Sequence, residues 1–541
     1  MKKPATRKAR FWRGQEPWPV SLLHRFLAVI SLSRGIATNI ALSAPAEAPA
    51  NIAPPQFTSI SVNAESSGIE LKWISANGSS YNLESSSDLI SWSRETTVTG
   101  GTHFIDTTEE FFEQRFFRLT LTSTPKPHNI LLIIVDDWGI DSSPIDNPTG
   151  SNLPLMPNLE SLAETGIRFQ NAYALAKCSP TRASIMTGRY PFRHGIGSPA
   201  GAVLPVSELT LPEALNDCSA YALGSFGKWH LGGGNSGPRN NGGWPTFAGS
   251  LGSGVADYYN WQKTILTDNE PPQTLATTSY TTTDTTNDAI KWIADQEDQP
   301  WFCWLAYNAA HSPFHAPPIT VAGQTNPNPT ARNNRDRFET MLWAMDAEIG
   351  RLIDTIDRTN TNIILLGDNG TPAGVIQPPF DRTHSKGTLY EGGTHVPMIV
   401  TGPIVSTPGS VNEQLVHCVD VFPTILELAG GDPKSLTTTL DGISLIPNLQ
   451  DQGQSNRAIV CEAFGRTESS PGRAIRNGDY KLIIFDDPSR STDTAALELY
   501  YLPSDPNESN NLLSRELTDV QRIAYDQLLE INLELGGNFN Q

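Results

Sequence analysis

The sequence predicts an α/β protein: a mainly parallel sheet sandwiched by helices, preceded by a small β-sandwich and followed by a smaller C-terminal α+β subdomain. Three observations carry this. From His128 onward, apolar runs of strand length alternate with amphipathic stretches at 156–166, 337–357 and 419–429, the rhythm of a sheet covered by helices. Three of those runs are continuously apolar: Asn129-Ile-Leu-Leu-Ile-Ile-Val135, Trp301-Phe-Cys-Trp-Leu-Ala-Tyr307 and Asn362-Ile-Ile-Leu-Leu366, as strands buried on both faces should be. Residues 55–123 instead hold short alternating or aromatic and β-branched segments, separated by Gly, Ser, Asn and Asp turns.

Length and charge narrow the function. A chain of 541 residues accommodates two or three domains of ~100–200 residues each. Its 38% hydrophobic and 18% charged residues describe a globular protein, neither disordered nor fibrous. It has no run of ~18 apolar residues, which excludes a multi-spanning membrane protein. The formal charge of −19 argues against a surface devoted to nucleic acid, so an anionic substrate needs a local cluster of cations.

Taken in order, residues 1–46 carry eight basic side chains and one acid, Glu16. With the apolar stretch 26–33 and Ala44-Pro-Ala46 they resemble an export signal, interrupted by Arg34; a disordered basic tail is the competing reading. Export would make the protein secreted or periplasmic. Segments 57–64, 69–74, 81–84 and 115–121 are expected strands of the 55–123 sandwich. This module looks like the fibronectin-like modules of secreted bacterial enzymes, with a spacer role favoured over carbohydrate binding. Ser123-Thr-Pro-Lys-Pro127 is a stiff linker. The α/β domain spans 128–458. The C-terminal subdomain, 459–541, should contain strands at Tyr480–Phe485 and 497–502. Five cysteines (178, 218, 303, 418 and 461) show neither a Cys-x-x-Cys pair nor zinc spacing, and four of them could pair after export.

The chemistry gathers where the buried strands end. Asn129–Val135 runs into Asp136-Asp137, Trp301–Tyr307 into a loop carrying His311, and Asn362–Leu366 into Gly367-Asp368-Asn369-Gly370. Ligands of open α/β sheets collect outside the carboxyl ends of the strands, so these loops can meet. Asp136, Asp137, Asp368 and Asn369 offer oxygen donors only, which suits Ca²⁺ or Mg²⁺ rather than zinc. Packed carboxylates also repel unless a cation neutralises them. In Cys178-Ser-Pro-Thr-Arg182, Pro180 suits a first helical turn and Arg182 falls one turn beyond Cys178. An anion there would meet free backbone N–H groups and a guanidinium.

The Cys-x-Pro-x-Arg core with Thr187-Gly-Arg189 resembles the signature of type I sulfatases, in the alkaline phosphatase superfamily. So do 129–139, Gly227-Lys-Trp-His-Leu-Gly232, Gly367-Asp-Asn-Gly370, Lys386-Gly-Thr-Leu-Tyr-Glu-Gly-Gly393 and Glu498-Leu-Tyr-Tyr-Leu-Pro-Ser-Asp-Pro506. The likeness runs in order from about 128 to 515. It implies an alkaline phosphatase-like sheet and hydrolysis of sulfate monoesters. It also implies oxidation of Cys178 to formylglycine by a maturase, whose hydrate attacks sulfur and then expels sulfate by reforming the aldehyde.

By the same resemblance, Asp136, Asp137, Cys178, Asp368 and Asn369 would hold Ca²⁺, with Asp368 also accepting the nucleophile's proton. Lys228 and His230 would steady the formylglycine, and His230 would take a proton during sulfate release. His311 would protonate the leaving oxygen; His315 is a second candidate for that role. Lys386 would bind sulfate, and His384 has no assigned role. Arg182, Lys228 and Lys386 balance the carboxylates and the ester around the cation. Thr181 stands where serine is frequent, and Thr394-His395 where an arginine is often found. The expected substrate is sulfated polysaccharide, with stretch 232–259 forming part of its wall. A phosphodiesterase or phosphonate monoester hydrolase on the same fold, and a catalytically silent glycan-binding protein, are the competing readings.

Overall fold

The computed structural model describes residues 25–33, 36–43, 56–63, 68–74, 80–86, 93–98, 101–106 and 114–123. It then describes 127–536 apart from 268–269, 454–456, 466–470 and 487–496. The chain divides into two compact units, Met1–Lys126 and Pro127–Gln541.

The first unit is all β among its described residues. Its strands are β1 (Arg25–Ser33), β2 (Ile36–Ser43), β3 (Gln56–Asn63), β4 (Gly68–Ile74), β5 (Ser80–Ser86), β6 (Ser93–Val98), β7 (Gly101–Asp106) and β8 (Gln114–Ser123). They form two antiparallel sheets, ordered β2-β1-β8-β5-β6 and β3-β4-β7. The four segments expected as strands fall on β3, β4, β5 and β8. Strands β6 and β7 are too polar to have stood out. The apolar stretch 26–33, expected as part of an export signal, lies in β1 and pairs with both β2 and β8. Residues 44–46 and the linker's 124–126 lie outside the described residues.

The second unit is organised by ten strands. These are β9 (Asn129–Val135), β10 (Gly166–Tyr173), β11 (Ala222–Lys228), β12 (Thr246–Ser250), β13 (Trp261–Leu266), β14 (Gln273–Thr277), β15 (Trp301–Ala306), β18 (Thr361–Gly367), β19 (Met398–Thr401) and β20 (Ser410–His417). The small hairpin β16 (Thr320–Val321) and β17 (Gln324–Thr325) stands apart. The sheet runs β14-β13-β12-β11-β15-β9-β18-β19-β10-β20, and only β13 and β19 oppose the common direction.

The central strands are apolar throughout because both their faces are covered. Along β9, Ile130, Leu132 and Ile134 enter one apolar cluster, while Leu131, Ile133 and Val135 enter the other. Helices Cys178–Thr187, Leu211–Cys218 and Val421–Leu428 cover the first face. Helices Pro157–Thr165, Thr281–Ala294 and Asn334–Ile353 cover the second. The last of these begins before the predicted 337 because the Asn333 side chain accepts from Asp336 N, satisfying an otherwise free helix-start donor. It buries Phe338, Met341, Leu342, Met345, Ile349 and Leu352 at helical spacing, each contributing ~1.5–3 kcal/mol.

A four-stranded antiparallel sheet follows: β21 (Ala458–Ala463), β22 (Gly472–Asn477), β23 (Tyr480–Phe485) and β24 (Leu497–Tyr501). Helix Asp519–Glu534 packs on it through Leu528 in a cluster with Val460, Ile475, Leu482 and Leu499. No helix among the described residues is long and apolar enough to cross a membrane.

Candidate active site

Parallel register brings the site together. Strands β11, β15, β9 and β18 are neighbours, and Gly227 pairs with Ala306, Ala306 with Ile134, and Val135 with Gly367. Their carboxyl ends are level. Lys228, the His311 loop, Asp136-Asp137 and Asp368-Asn369 therefore emerge along one edge.

Cys178 is the first residue of its helix, all ten residues of which are buried. The turn into that helix is fixed by Thr181, whose Oγ1 accepts from Leu175 N at 3.0 Å; threonine supplies the hydroxyl this needs. Ligand atoms of Asp136, Cys178 and Asp368 lie within 4.8 Å of one another, and the Cys178 Sγ is 3.1 Å from His230 Nδ1. Burial raises the Cys178 pKa, so a thiol here is a poor nucleophile.

Arg182 lies beneath the site with no exposure. Its Nη2 and Nε donate to Asp368 Oδ2 at 2.9 and 3.2 Å, and its Nη1 donates to Lys228 O at 2.7 Å. The guanidinium thus braces a carboxylate and a strand end instead of facing an open anion site. Lys228 donates to Asp136, and Lys386 to Asp137. Asn369 Nδ2 donates to Asp137 Oδ1 at 2.9 Å, and Asp137 N to Asp368 Oδ1 at 3.1 Å. Asp137 and His230 hold φ of 63° and 58°, left-handed conformations that cost non-glycine residues ~1–3 kcal/mol and cluster at functional sites.

The electrostatics divide the carboxylates. Burial opposes ionisation of Asp137, yet Lys386, His311 and Lys228 with the Asn369 hydrogen bond together outweigh it and hold the acid well below its ordinary range. Burial raises Asp136 despite Lys228, and pushes Asp368 up to about 6. Burial drives His230 down to about 2 and His311 to about 4, so both imidazoles are neutral at neutral pH. Two oxygens expected to ligate a metal, Asp136 Oδ1 and Asn369 Oδ1, are buried without a hydrogen-bond partner. Buried acceptors are almost always satisfied, and a hard cation shared with the nearby carboxylates would satisfy both. The donor set fits Ca²⁺.

The two candidate leaving-group acids differ. His311 uses Nδ1 toward Ser312 O at 2.7 Å, and Asp137 acts on its charge. His315 uses both nitrogens, toward Pro313 O and Tyr280 Oη, inside a cluster with Tyr258, Tyr259 and Tyr280. His384 stacks on Tyr390 with ring centroids 3.8 Å apart. His395 stacks on Tyr173 and pairs with Glu391 at 3.0 Å, while Arg476 lies over the same tyrosine ring. A guanidinium from the C-terminal sheet thus approaches the position where the motif lacks one. All five cysteines are free; Cys303 is interior to β15, and Cys418 and Cys461 both lie against His417. Sequence reasoning missed Tyr258 and Asn308, which brace the His311 loop, because nothing short-range marks them.

An alkaline phosphatase-like α/β fold with a hydrolytic site at the carboxyl edge of its sheet is the class these features define. The family profile described as Sulfatase matches residues 128–431, and one described as N-sulphoglucosamine sulphohydrolase, C-terminal, matches 381–533. This chain belongs to the sulfatase family and is a sulfate ester hydrolase. It is 30% identical to the uncharacterized sulfatase YdeN of Escherichia coli K12 over 62% of this chain and 69% of that protein. It is 29% identical to human arylsulfatase A over 72% and 84%, and 30% identical to human N-acetylgalactosamine-6-sulfatase over 62% and 69%. The fold matches the crystal structure of Ps i-CgsB in complex with k-i-k-neocarrahexaose at TM-score 0.62, with 23% identity over 77% and 94%. It matches BT4656 in complex with its substrate D-glucosamine-2-N,6-O-disulfate at TM-score 0.61, with 19% identity over 76% and 99%.

Proposed function

We propose that this enzyme removes sulfate from sulfated carbohydrate, using a formylglycine made from Cys178 by a maturase and a Ca²⁺ ion held by Asp136, Asp137, Asp368, Asn369 and residue 178. The observation that carries this reading is the meeting of Cys178 with Asp136 and Asp368, beside the two partnerless buried oxygens. Bound Ca²⁺ supplies Lewis-acid polarisation of a sulfate oxygen, and the hydrated formylglycine supplies the nucleophilic hydroxyl.

The chain's own residues do the rest. Asp368, close to residue 178 and with its pKa raised, accepts the hydroxyl proton. Lys228 and Lys386 stabilise charge that builds on sulfate oxygens. His311, whose Nδ1–H donates to Ser312 O, gives a proton to the leaving oxygen from Nε2 when it is imidazolium, the charged form that Asp137 favours and a bound anionic sulfate ester would favour further. His230, neutral and beside residue 178, takes the proton whose loss releases sulfate. The carbohydrate substrate is supported by the sugars named with the two solved neighbours, and the basic start of the chain supports an exported, extracellular or periplasmic enzyme.

The test is the mass of the tryptic peptide 178–182 from the native host, followed by sulfate release from carrageenan and glycosaminoglycan oligosaccharides with and without a chelator. An aldehyde in place of the thiol, with chelator-sensitive release, is expected. An intact thiol in active enzyme would overturn the nucleophile. Faster turnover of the matching phosphate ester would favour the phosphodiesterase reading.

A further inference from the structure

The turn that carries His311 is held from two sides. Asp136 grips its middle: Asp136 N donates to Ala309 O at 3.2 Å, and Ala310 N to Asp136 O at 2.8 Å. His311 N closes the turn on Asn308 O at 2.9 Å. From the other side, the hydroxyl of Tyr258 lies 2.5 Å from Asn308 O and 2.7 Å from His311 O. One phenol therefore spans both carbonyls that bound the turn.

Tyr258 is itself immobilised. It is 2% exposed, its ring lies 4.2 Å from that of His315, and its carbonyl accepts from Thr281 N and Oγ1 at 2.8 and 2.9 Å. Burial, and next Asp136, push its pKa well above the ordinary value, so the hydroxyl stays a donor at every working pH. Asn308 is fixed independently by Ser250 Oγ, which donates to its Oδ1 at 3.0 Å. Across the imidazole stands Gly254, where a Cβ would come within 3.1 Å of His311 Nδ1. The ring thus sits in a slot whose floor is the turn that Tyr258 holds.

We propose that Tyr258 is a positioning residue for the leaving-group acid: its hydroxyl fixes the 308–311 turn, and through it the place of the His311 imidazole relative to Asp137. This rests on the reading of His311 as the group that protonates the leaving oxygen. A misplacement of ~1 Å in such a group costs on the order of 100-fold in rate, and the loss grows as the leaving group becomes more basic and needs the proton more.

The test compares wild type, Tyr258→Phe, His311→Ala and the double variant on 4-nitrophenyl sulfate, whose leaving group hardly needs a proton, and on phenyl sulfate, whose leaving group does. Rates are normalised to matured residue 178. Tyr258→Phe should lower kcat on phenyl sulfate about tenfold more than on 4-nitrophenyl sulfate, with KM little changed, and should add nothing once His311 is alanine. A para-aminophenylalanine at 258, which restores a donor, should recover most of the loss and serves where Tyr258→Phe does not fold. If His311→Ala shows the leaving-group dependence and Tyr258→Phe lowers both substrates equally or neither, the role of Tyr258 is overturned alone. If His311→Ala shows no such dependence, the reading of His311 falls, and the inference with it.

Discussion

Arg182 and Asp368, 186 residues apart in the chain, form an ion pair with no solvent exposure, two guanidinium nitrogens meeting Asp368 Oδ2 at 2.9 and 3.2 Å. The third contact, to Lys228 O, ties the helix that begins at Cys178 to the ends of β18 and β11. Removing the cation leaves a buried carboxylate uncompensated, which costs ~3–5 kcal/mol. Arg182→Met should therefore lose about that much in urea unfolding, and adding Asp368→Asn should restore part of it. Arg182→Lys keeps the charge but not the planar fork, and should fall between. A loss below ~1 kcal/mol for Arg182→Met would show the pair to be unimportant.

The partnerless oxygens Asp136 Oδ1 and Asn369 Oδ1 predict a metal effect that is independent of catalysis. In the unmatured cysteine form, Ca²⁺ at 100 times its Kd should stabilise the fold by ~2.7 kcal/mol. Asn369→Ala should weaken Ca²⁺ binding about tenfold in titration calorimetry, one oxygen ligand having been removed. Identical calcium isotherms for wild type and Asn369→Ala would remove Asn369 from the site.

Acid should destabilise the protein through two histidines remote from the metal donors. Burial lowers both His194 and His417 to about 3, aided by Arg189 for the first and Arg457 for the second. His194 Nδ1 accepts from Ile196 N, and Nε2 faces Ser184 Oγ at 3.0 Å. His417 Nδ1 accepts from Val419 N, with Cys418, Cys461, Asp420 and the Tyr190 ring around it. Protonating either Nδ1 would replace an acceptor with a donor aimed at an N–H. The unfolded chain binds these protons below about 6.5, the folded chain only near 3, so stability rises with pH across that window. Each histidine contributes a slope of up to ~1.4 kcal/mol per pH unit. Replacing both with glutamine should flatten the pH dependence of unfolding between 6 and 4 by close to two proton equivalents. An unchanged slope would mean the histidines are charged in the fold.

How much of this was legible in the sequence depended on distance along the chain. The apolar run 129–135 and the acids after it announced a central strand and its functional end, because both signals are local. That β11, β15, β9 and β18 are neighbours was not written in any segment; it follows from sheet order, and so does the meeting of Cys178 with Asp136 and Asp368. Arg182 was recognisable as a residue that matters, yet its direction was not: one turn from Cys178 fits a guanidinium facing an anion as well as one turned inward to Asp368. Tyr258 lay in the stretch 232–259, expected as part of the substrate wall, and nothing there marked it as a brace for the His311 turn, since its partners are carbonyls 50 and 53 residues away. The export reading of 26–33 and the strand β1 use the same apolar residues, which serve either purpose.

The last prediction concerns charge buried between the large sheet and the C-terminal one. Glu391 opens the short helix Glu391–Thr394, five residues after Lys386, and Lys481 of β23 reaches it at 2.9 Å while also reaching Glu508 at 2.8 Å. Tyr173 donates to the same carboxylate at 2.6 Å, and Glu391 N donates to Glu508 Oε2 at 2.5 Å. Burial alone would raise Glu391, but Lys481 and His395 together carry it down to about 2; Glu508, for which burial prevails, sits at about 7. One ammonium therefore serves two buried carboxylates, with His395 as a second partner of Glu391. Lys481→Met should destabilise the fold, by less than the ~3–5 kcal/mol of a fully stranded buried charge because His395 still pairs with Glu391, and Lys481→Met/Glu391→Gln should recover part of that. Lys386 is held separately, its N–H donating to Thr371 O and that of Gly387 to Ala176 O, both at 2.9 Å. Turnover by the folded fraction of Lys481→Met should accordingly change little while its unfolding midpoint in urea falls. Loss of turnover without loss of stability would place Lys481 in the catalytic apparatus and not in the frame that supports it.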